Sequence, residues 1–369
     1  MRKKFDEIFE DCTKLGTKIK TDEYHSNGKH PIIDQGQEMV AGFTDLEDGL
    51  LDAVPAIVFG DHTRIIKYVD CPFFLGADGV KVLRSKVPNA NYRYLYYALK
   101  NAKIPNTGYN RHYKWLKELE IEYPPIDQQV KTVKVLDKVE SIIYNRQNQL
   151  QKLDELVKAR FVELFGDPEF NTFGWDTEEL GTLCDVGSSK RIYQNEQSQE
   201  GIPFWRISDL ISKMDIGVAD SGLFIPEERY VELKNAGLVP TTGDILVTSR
   251  GTLGRCYIIK DEDKFYFQDG MISWLSSYVD GITPLYLQYL FTMPGFRKQI
   301  DGMQAGSTVA YLSIAMLKKL RVMVPPIETQ NCFALFVEQL DKSKLQVPSG
   351  NVLCIRYPIF IEMMFLRGV

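Results

Sequence analysis

The longest periodic segment of the chain lies between two breaks. Pro124-Pro125 halts whatever precedes it, and no further Gly or Pro occurs until Gly166. Inside that window apolar residues recur every three or four positions: Leu136, Val139, Ile143, Leu150, Leu153, Val157 and Leu164. Arg146 and Arg160 fill two further places on the same stripe, and the intervening positions are mostly polar. The pattern predicts a helix over about 127–165, roughly 58 Å long at ~1.5 Å per residue. A narrow stripe at close to 3.5-residue spacing predicts a coiled-coil seam. The alternative is a long helix lying across its own domains.

The break returns about two hundred residues later. Leu116-Lys117-Glu118-Leu119 leads through Tyr123-Pro124-Pro125-Ile126 to Gln129, and Leu317-Lys318-Lys319-Leu320 leads through Val324-Pro325-Pro326-Ile327 to Gln330. The second copy should start a partner helix, with Phe333, Phe336, Val337 and Leu340 on its apolar face. That pattern stops at Val347-Pro348-Ser349-Gly350. Other runs echo one another in the same order. Ala56-Ile57-Val58-Phe59-Gly60 and Gly243-Asp244-Ile245-Leu246-Val247 are strand-like, as is Val80-Lys81-Val82-Leu83 after Asp78-Gly79, where Asp269-Gly270-Met271 answers in the second half. Tyr92 to Lys100 reads as an amphipathic helix, echoed by Tyr286 to Phe291.

A repeat this long implies two copies of a whole domain. The fold class is therefore α+β: two similar mixed α/β domains over 1–126 and 166–326, separated by a long α-helix over 127–165. A shorter second helix follows over 327–346, and the 347–369 tail is atypical. The tail is apolar without a heptad, and Arg356 and Glu362 leave no span long enough to cross a bilayer. It reads either as an ordinary C-terminal segment or as one foreign to the fold, such as a shifted reading frame, and is expected to add little stability.

Bulk properties narrow the function classes. A net charge of −5 over 369 residues argues against coating nucleic acid by bulk positive charge, though not against local basic loops. The six cysteines are scattered without a CxxC pair, as in a reduced, cytoplasmic protein. None of the four histidines has metal-ligand spacing with another His or Cys. Met1-Arg2-Lys3-Lys4 is followed by Phe5-Asp6-Glu7 rather than an apolar run, so no signal peptide is expected. Phosphate-loop and dinucleotide motifs are missing. The Pro-Pro pairs lack the preceding acid or amide and the following aromatic of an adenine methyltransferase loop, so no catalytic residue is assigned.

Polar loops carry the candidate chemistry. Thr248-Ser249-Arg250-Gly251-Thr252-Leu253-Gly254-Arg255 follows a strand-like run and combines guanidinium groups, hydroxyls and permissive glycines. Such groups suit guanine edges and phosphate oxygens. His62, Thr63 and Arg64 follow the corresponding run of the first domain. Asn106, Tyr109, Asn110, Arg111 and His112 form a similar loop, with Gln304, Ser307 and Thr308 as a second-domain counterpart. Lys190 and Arg191 make a further basic loop, and Arg206 stands near it in sequence. Gln35, Gln37, Asn106, Asn110 and Gln304 have the amide chemistry that reads adenine. Each of these loops alone is equally well a solvated turn; their recurrence in both domains favours a shared role.

Taken together, these segments resemble the specificity subunits of Type I restriction-modification enzymes. The resemblance rests on His30-Pro31-Ile32-Ile33-Asp34-Gln35-Gly36-Gln37, on Gly201-Ile202-Pro203-Phe204-Trp205-Arg206-Ile207-Ser208-Asp209-Leu210, on Gly243 to Val247, on Gly306-Ser307-Thr308, on both Pro-Pro-Ile blocks and on Arg160 to Asp167. It covers about residues 5–346. It implies two target recognition domains that each read one half of a split double-stranded DNA target, with the two helices pairing antiparallel as a coiled coil. It further implies a non-catalytic chain that binds no cofactor. Two modification subunits using S-adenosylmethionine, and restriction subunits using ATP and Mg2+, would be its partners, with no membrane association. The early end of the second helix departs from the family pattern. It leaves open a truncated or regulatory subunit acting mainly as a helix-mediated assembly or dimerisation module.

Overall fold

A computed structural model describes residues 1–76, 79–304, 310–345 and Phe365. The chain divides into two compact units, Met1–Asn145 with Leu353–Val369, and Arg146–Val352. The division falls inside the long helix, which runs unbroken over Ile126–Phe165.

Each unit carries the same three sheets. In the first, a four-stranded antiparallel sheet is ordered Phe9–Asp11, Val80–Ser85, Ala56–Gly60, Ile66–Val69. In the second, the order is Asp185–Gly187, Ile272–Ser276, Ile245–Thr248, Cys256–Ile258. A three-stranded sheet in each unit pairs its central strand antiparallel on one side and parallel on the other: His30–Ile33 with Gly42–Thr44 and Phe74–Leu75, and Ile202–Trp205 with Phe224–Ile225 and Tyr266–Phe267. A two-stranded ribbon closes each unit by pairing its start with the strand just before the Pro-Pro break, Arg2–Lys4 with Glu120–Glu122 and Thr177–Glu179 with Arg321–Met323. The register itself is duplicated. Gly60 faces Val80 as Thr248 faces Ile272. The helices Ile207–Ile216, Glu227–Asn235 and Pro294–Gly302 belong to the second unit only, among the described residues.

The central strands Ala56–Gly60 and Ile245–Thr248 are buried at every position, as expected for continuous apolar runs covered on both faces. The helix predicted over Tyr92–Lys100 occupies those residues, with Asn91 accepting from the Tyr94 amide at 3.0 Å as its N-cap. Its tyrosines serve the core: Tyr94 and Tyr97 are buried. Arg93 on this helix pairs with Asp137 and Glu140, and the Tyr97 hydroxyl donates to the same two carboxylates at 2.7 and 2.9 Å, fastening it to the long helix.

The stripe along the long helix is divided between the two cores. Leu136 and Ile143 are buried with Tyr94, Leu95 and Leu99 of the first unit, and Val139 packs beside them. Val157, Phe161 and Phe165 are buried in the second unit's core, where Leu164, Phe336 and Leu340 lie partly buried. Leu150 and Leu153 are half-buried. The end pieces of the predicted seam therefore face their own domain cores, because either unit without the helix would leave those apolar faces open. Phe161 stacks on Tyr286 at 5.6 Å and meets Phe333 edge-on at 5.5 Å. Gly166 stops the helix with φ +80, where a Cβ would meet Thr172 Oγ1 at 2.3 Å. The Trp175 indole donates to the Phe165 carbonyl at 2.9 Å.

The last helix spans Ile327–Leu345. The tail over 347–369 lies outside the described residues except for Phe365. That ring is buried in the first unit's core, 5.5 Å from Tyr94. At this residue the expectation of a tail adding little stability is corrected, since a buried aromatic ring contributes apolar area. No helix among the described residues is long and apolar enough to cross a membrane.

Candidate nucleic-acid interface

In both units the residue after the central strand is tied to the segment before the Leu-Lys block. Asp61 follows Ala56–Gly60: its amide donates to Gly79 O at 2.6 Å, its carbonyl accepts from the His112 amide at 2.8 Å, and its carboxylate accepts from the Tyr113 amide at 2.7 Å. Ser249 follows Ile245–Thr248: its amide donates to Met271 O at 2.9 Å and its carbonyl accepts from the Leu312 amide at 3.0 Å. Asp61 and Ser249, and with them His62 and Arg250, thus hold equivalent places.

The first unit gathers its predicted residues into one cluster. Gln35 Oε1 accepts from the His62 amide at 3.2 Å, and the Thr63 hydroxyl donates to the Gln35 carbonyl at 2.7 Å. Gly79, at φ +91, leaves room for both side chains: a Cβ there would lie 2.7 Å from Gln35 Nε2 and 2.8 Å from His62 Cδ2. The His62 ring stacks on Tyr109 at 4.7 Å and 10°, and Tyr109 is 88% exposed. Asn106 accepts from the Gly108 amide at 3.2 Å and Asn110 donates to the Thr107 carbonyl, so both amides shape their own turn. Arg64 sits at φ +64 and donates to the Ile104 carbonyl at 3.2 Å. Lys67 braces the neighbouring Asp34 at 3.4 Å, and burial pulls its ammonium below the ordinary lysine range against the attraction of that carboxylate. Gln37, Thr63 and Arg111 are exposed.

Two predicted contacts are corrected by burial. His112 is 0% exposed; its Nδ1 donates to the Asp61 carbonyl at 3.0 Å while Nε2 accepts from Thr107. Ser249 is 1% exposed and shares a 2.7 Å hydrogen bond with the Ser273 hydroxyl. Both hold loops in place and neither reaches the surface. Gln304 is half-buried and holds Tyr311: its amide donates to the Tyr311 carbonyl at 3.0 Å and accepts from the Tyr311 amide at 2.8 Å, with one N–H and one oxygen lone pair still unused by these bonds. Ser307 and Thr308 lie outside the described residues.

In the second unit Arg250 is exposed and stands over the Tyr311 ring, its guanidinium carbon 5.0 Å from the centroid. Its backbone bridges to Tyr311. Other guanidinium groups of this unit are engaged by carboxylates: Arg191 with Asp269 at 2.9 Å, Arg255 with Asp215 at 2.5 Å and Arg206 with Asp209 at 3.7 Å. Lys190 and Thr252 are exposed, although the Thr252 carbonyl is taken by the Thr248 hydroxyl. Sequence reading missed Tyr311. Its only signal is its place just before the buried Leu312, in the stretch that leads into the repeated block.

The family comparison agrees with this duplicated frame. The model of the Type I restriction modification DNA specificity domain matches residues 1–155 and 173–348. A Haemophilus influenzae protein named as a type I restriction enzyme specificity subunit is 27% identical over 251 residues, covering 65% of this chain and 62% of that protein. The chain thus spans less than two thirds of that relative. The EcoR124I/EcoR124II type I specificity subunit of Escherichia coli is 23% identical over 360 residues, covering 90% of this chain and 84% of its own. A crystal structure of a Type I restriction-modification S subunit from M. genitalium shares the fold, with a TM-score of 0.58 and 19% identity, over 99% of this chain and 96% of that one. With the family model matching both halves of the chain, the protein belongs to the family of Type I restriction-modification DNA specificity domains.

Proposed function

We propose that the chain is the specificity subunit of a Type I restriction-modification system, reading a bipartite double-stranded DNA target with one half assigned to each unit. The observation that supports this reading is the equivalence of Asp61 and Ser249, each followed by a polar loop, in two copies of one frame. The long helix would act as the ruler between the half-sites. Its pairing with the last helix as an antiparallel coiled coil is supported by two contacts of opposite progression: Phe165 meets Phe333 at 5.5 Å, while Arg160 lies over Phe336 at 5.7 Å.

Recruitment of two modification subunits is supported by apolar side chains left exposed along the long helix, among them Val135, Ile142 and Leu156. Adenine methylation with S-adenosylmethionine, and ATP- and Mg2+-dependent cleavage, would belong to modification and restriction partners. Methylation mapping in cells with and without this chain, the modification subunit present in both, tests the reading. A split adenine-methylation motif should depend on the chain. A methylome indifferent to its removal sinks the proposal.

A further inference from the structure

We infer that Arg250 on Tyr311 reads a guanine in the half-target of the second unit, and that His62 on Tyr109 fills the equivalent reading position of the first. The inference rests on the proposed DNA-binding function and says which side chains decide its specificity.

A base reader must be exposed, held still and free to donate. Arg250 meets all three conditions. It is exposed, and no carboxylate stands within ion-pair distance of it among the described residues, whereas Arg191, Arg206 and Arg255 each face one. Its guanidinium carbon lies over the Tyr311 ring, 5.0 Å from the centroid, and Tyr311 is itself clamped at both backbone groups by Gln304. A guanidinium held over a ring keeps N–H groups for an outside partner, and its fork matches guanine O6 and N7. Beneath it, Ser249 is pinned by three hydrogen bonds, to Met271, Leu312 and Ser273. Beside it, Gly251 has no neighbouring atom within 4 Å of a built Cβ, so a nucleic-acid backbone can approach closely.

The first unit repeats the device with different chemistry. His62 occupies the place of Arg250 and also lies on a tyrosine, here nearly parallel at 10°. Its Nδ1 is buried without a hydrogen-bond partner, which leaves Nε2 as the ring nitrogen for an outside group. An imidazole offering one nitrogen cannot make the two-point contact of a guanidinium fork. The two heads therefore share a scaffold position and differ in the base they select.

The experiment uses the full chain co-expressed with its modification partner, read by methylation mapping at single-base resolution. Under Arg250→Ala, one guanine position in one half of the motif should become degenerate. Methylation at sites carrying that guanine should fall roughly 5- to 150-fold, while the other half-site stays unchanged. Arg250→Lys keeps the charge without the fork and should relax the same position. His62→Ala should relax a position in the opposite half only. A uniform loss over all sites with the motif intact, rescued by Arg250→Lys, would make Arg250 a phosphate contact and overturn the inference. So would relaxation of the same half by both Arg250→Ala and His62→Ala. A wild-type chain that yields no split motif would fail the proposed function itself, a result distinct from either.

Discussion

The glutamine shared by the two repeated blocks offers an internal control. Gln330 makes four hydrogen bonds: its oxygen accepts from the Thr283 amide at 2.9 Å and the Thr283 hydroxyl at 3.1 Å, and its nitrogen donates to the carbonyls of Gly281 at 2.8 Å and Pro325 at 2.9 Å. Gln129, the same residue of the first copy, donates to the Pro124 carbonyl at 2.8 Å, and its Oε1 is buried without a partner. Replacing each by Met keeps the length and removes the polar atoms. At ~1 kcal/mol net per hydrogen bond, Gln330→Met should cost about 3–5 kcal/mol. Gln129→Met loses one bond at ~1 kcal/mol but removes an orphan acceptor that costs about 1–3 kcal/mol, so its net effect should lie near zero or be slightly stabilising. The side-chain volume change is common to both and drops out of the difference. Urea midpoints, with hydrogen exchange of peptides around each helix start, assign the loss to the right unit. Equal destabilisation by the two substitutions would refute the reasoning, because it would mean that the Thr283 and Gly281 contacts add nothing.

Asp263 should dominate an acid-sensitive step in the second unit. Burial alone would raise its pKa, but hydrogen bonds from Tyr257 at 2.6 Å and Lys213 at 2.9 Å outweigh that and hold it below the usual carboxylate range. Its contribution is therefore present above the unfolded value of about 3.9 and lost as pH falls through the folded pKa. Asp263→Asn should lower stability at pH 7 and flatten the acid limb of the urea-midpoint profile; an unchanged limb would remove Asp263 as its source. Phe365→Ala should destabilise the first unit by about 3–5 kcal/mol, and a melting temperature equal to wild type would show that the ring is not part of that core. Leu153→Asp, at a half-buried helix position, should weaken assembly with the modification subunit on a sizing column while each unit's unfolding midpoint stays near wild type; a complex of normal size would count against the coiled-coil proposal.

Much of the frame was legible because it is written in periodicity. The long helix, the Tyr92–Lys100 helix and the central strands begin and end within a residue or two of the apolar runs that announce them. The division of the long stripe between two cores was not legible. A heptad-like pattern records that one face is apolar and does not say whether the partner is another helix or a domain's own tyrosines. The contacts among the candidate loops were legible by loop and not by residue. The loops at 62–64 and 106–112 do meet, and so do the segments around Arg250 and Gln304. Which side chain faces outward depends on register: His112 and Ser249 are turned inward by hydrogen bonds to backbone or a buried hydroxyl, and composition alone does not distinguish them from Arg250.

Under the proposed function, that inward set lets two copies of one frame serve different reading. The residues that fix the loops act largely through backbone groups, so Asp61 in one unit and Ser249 in the other hold the same connection with different side chains. A position fixed by main-chain hydrogen bonds places little demand on the side chain that follows it. The next residue is then free to be imidazole in one copy and guanidinium in the other, provided that a tyrosine supports it. In the first copy that ring comes from Tyr109, and in the second from Tyr311, two residues further along relative to the shared anchor at His112 and Leu312. The support has moved along the chain while a tyrosine ring against the side chain has been kept. Removing the ring should therefore blur selection in its own unit and leave the fold of that unit intact.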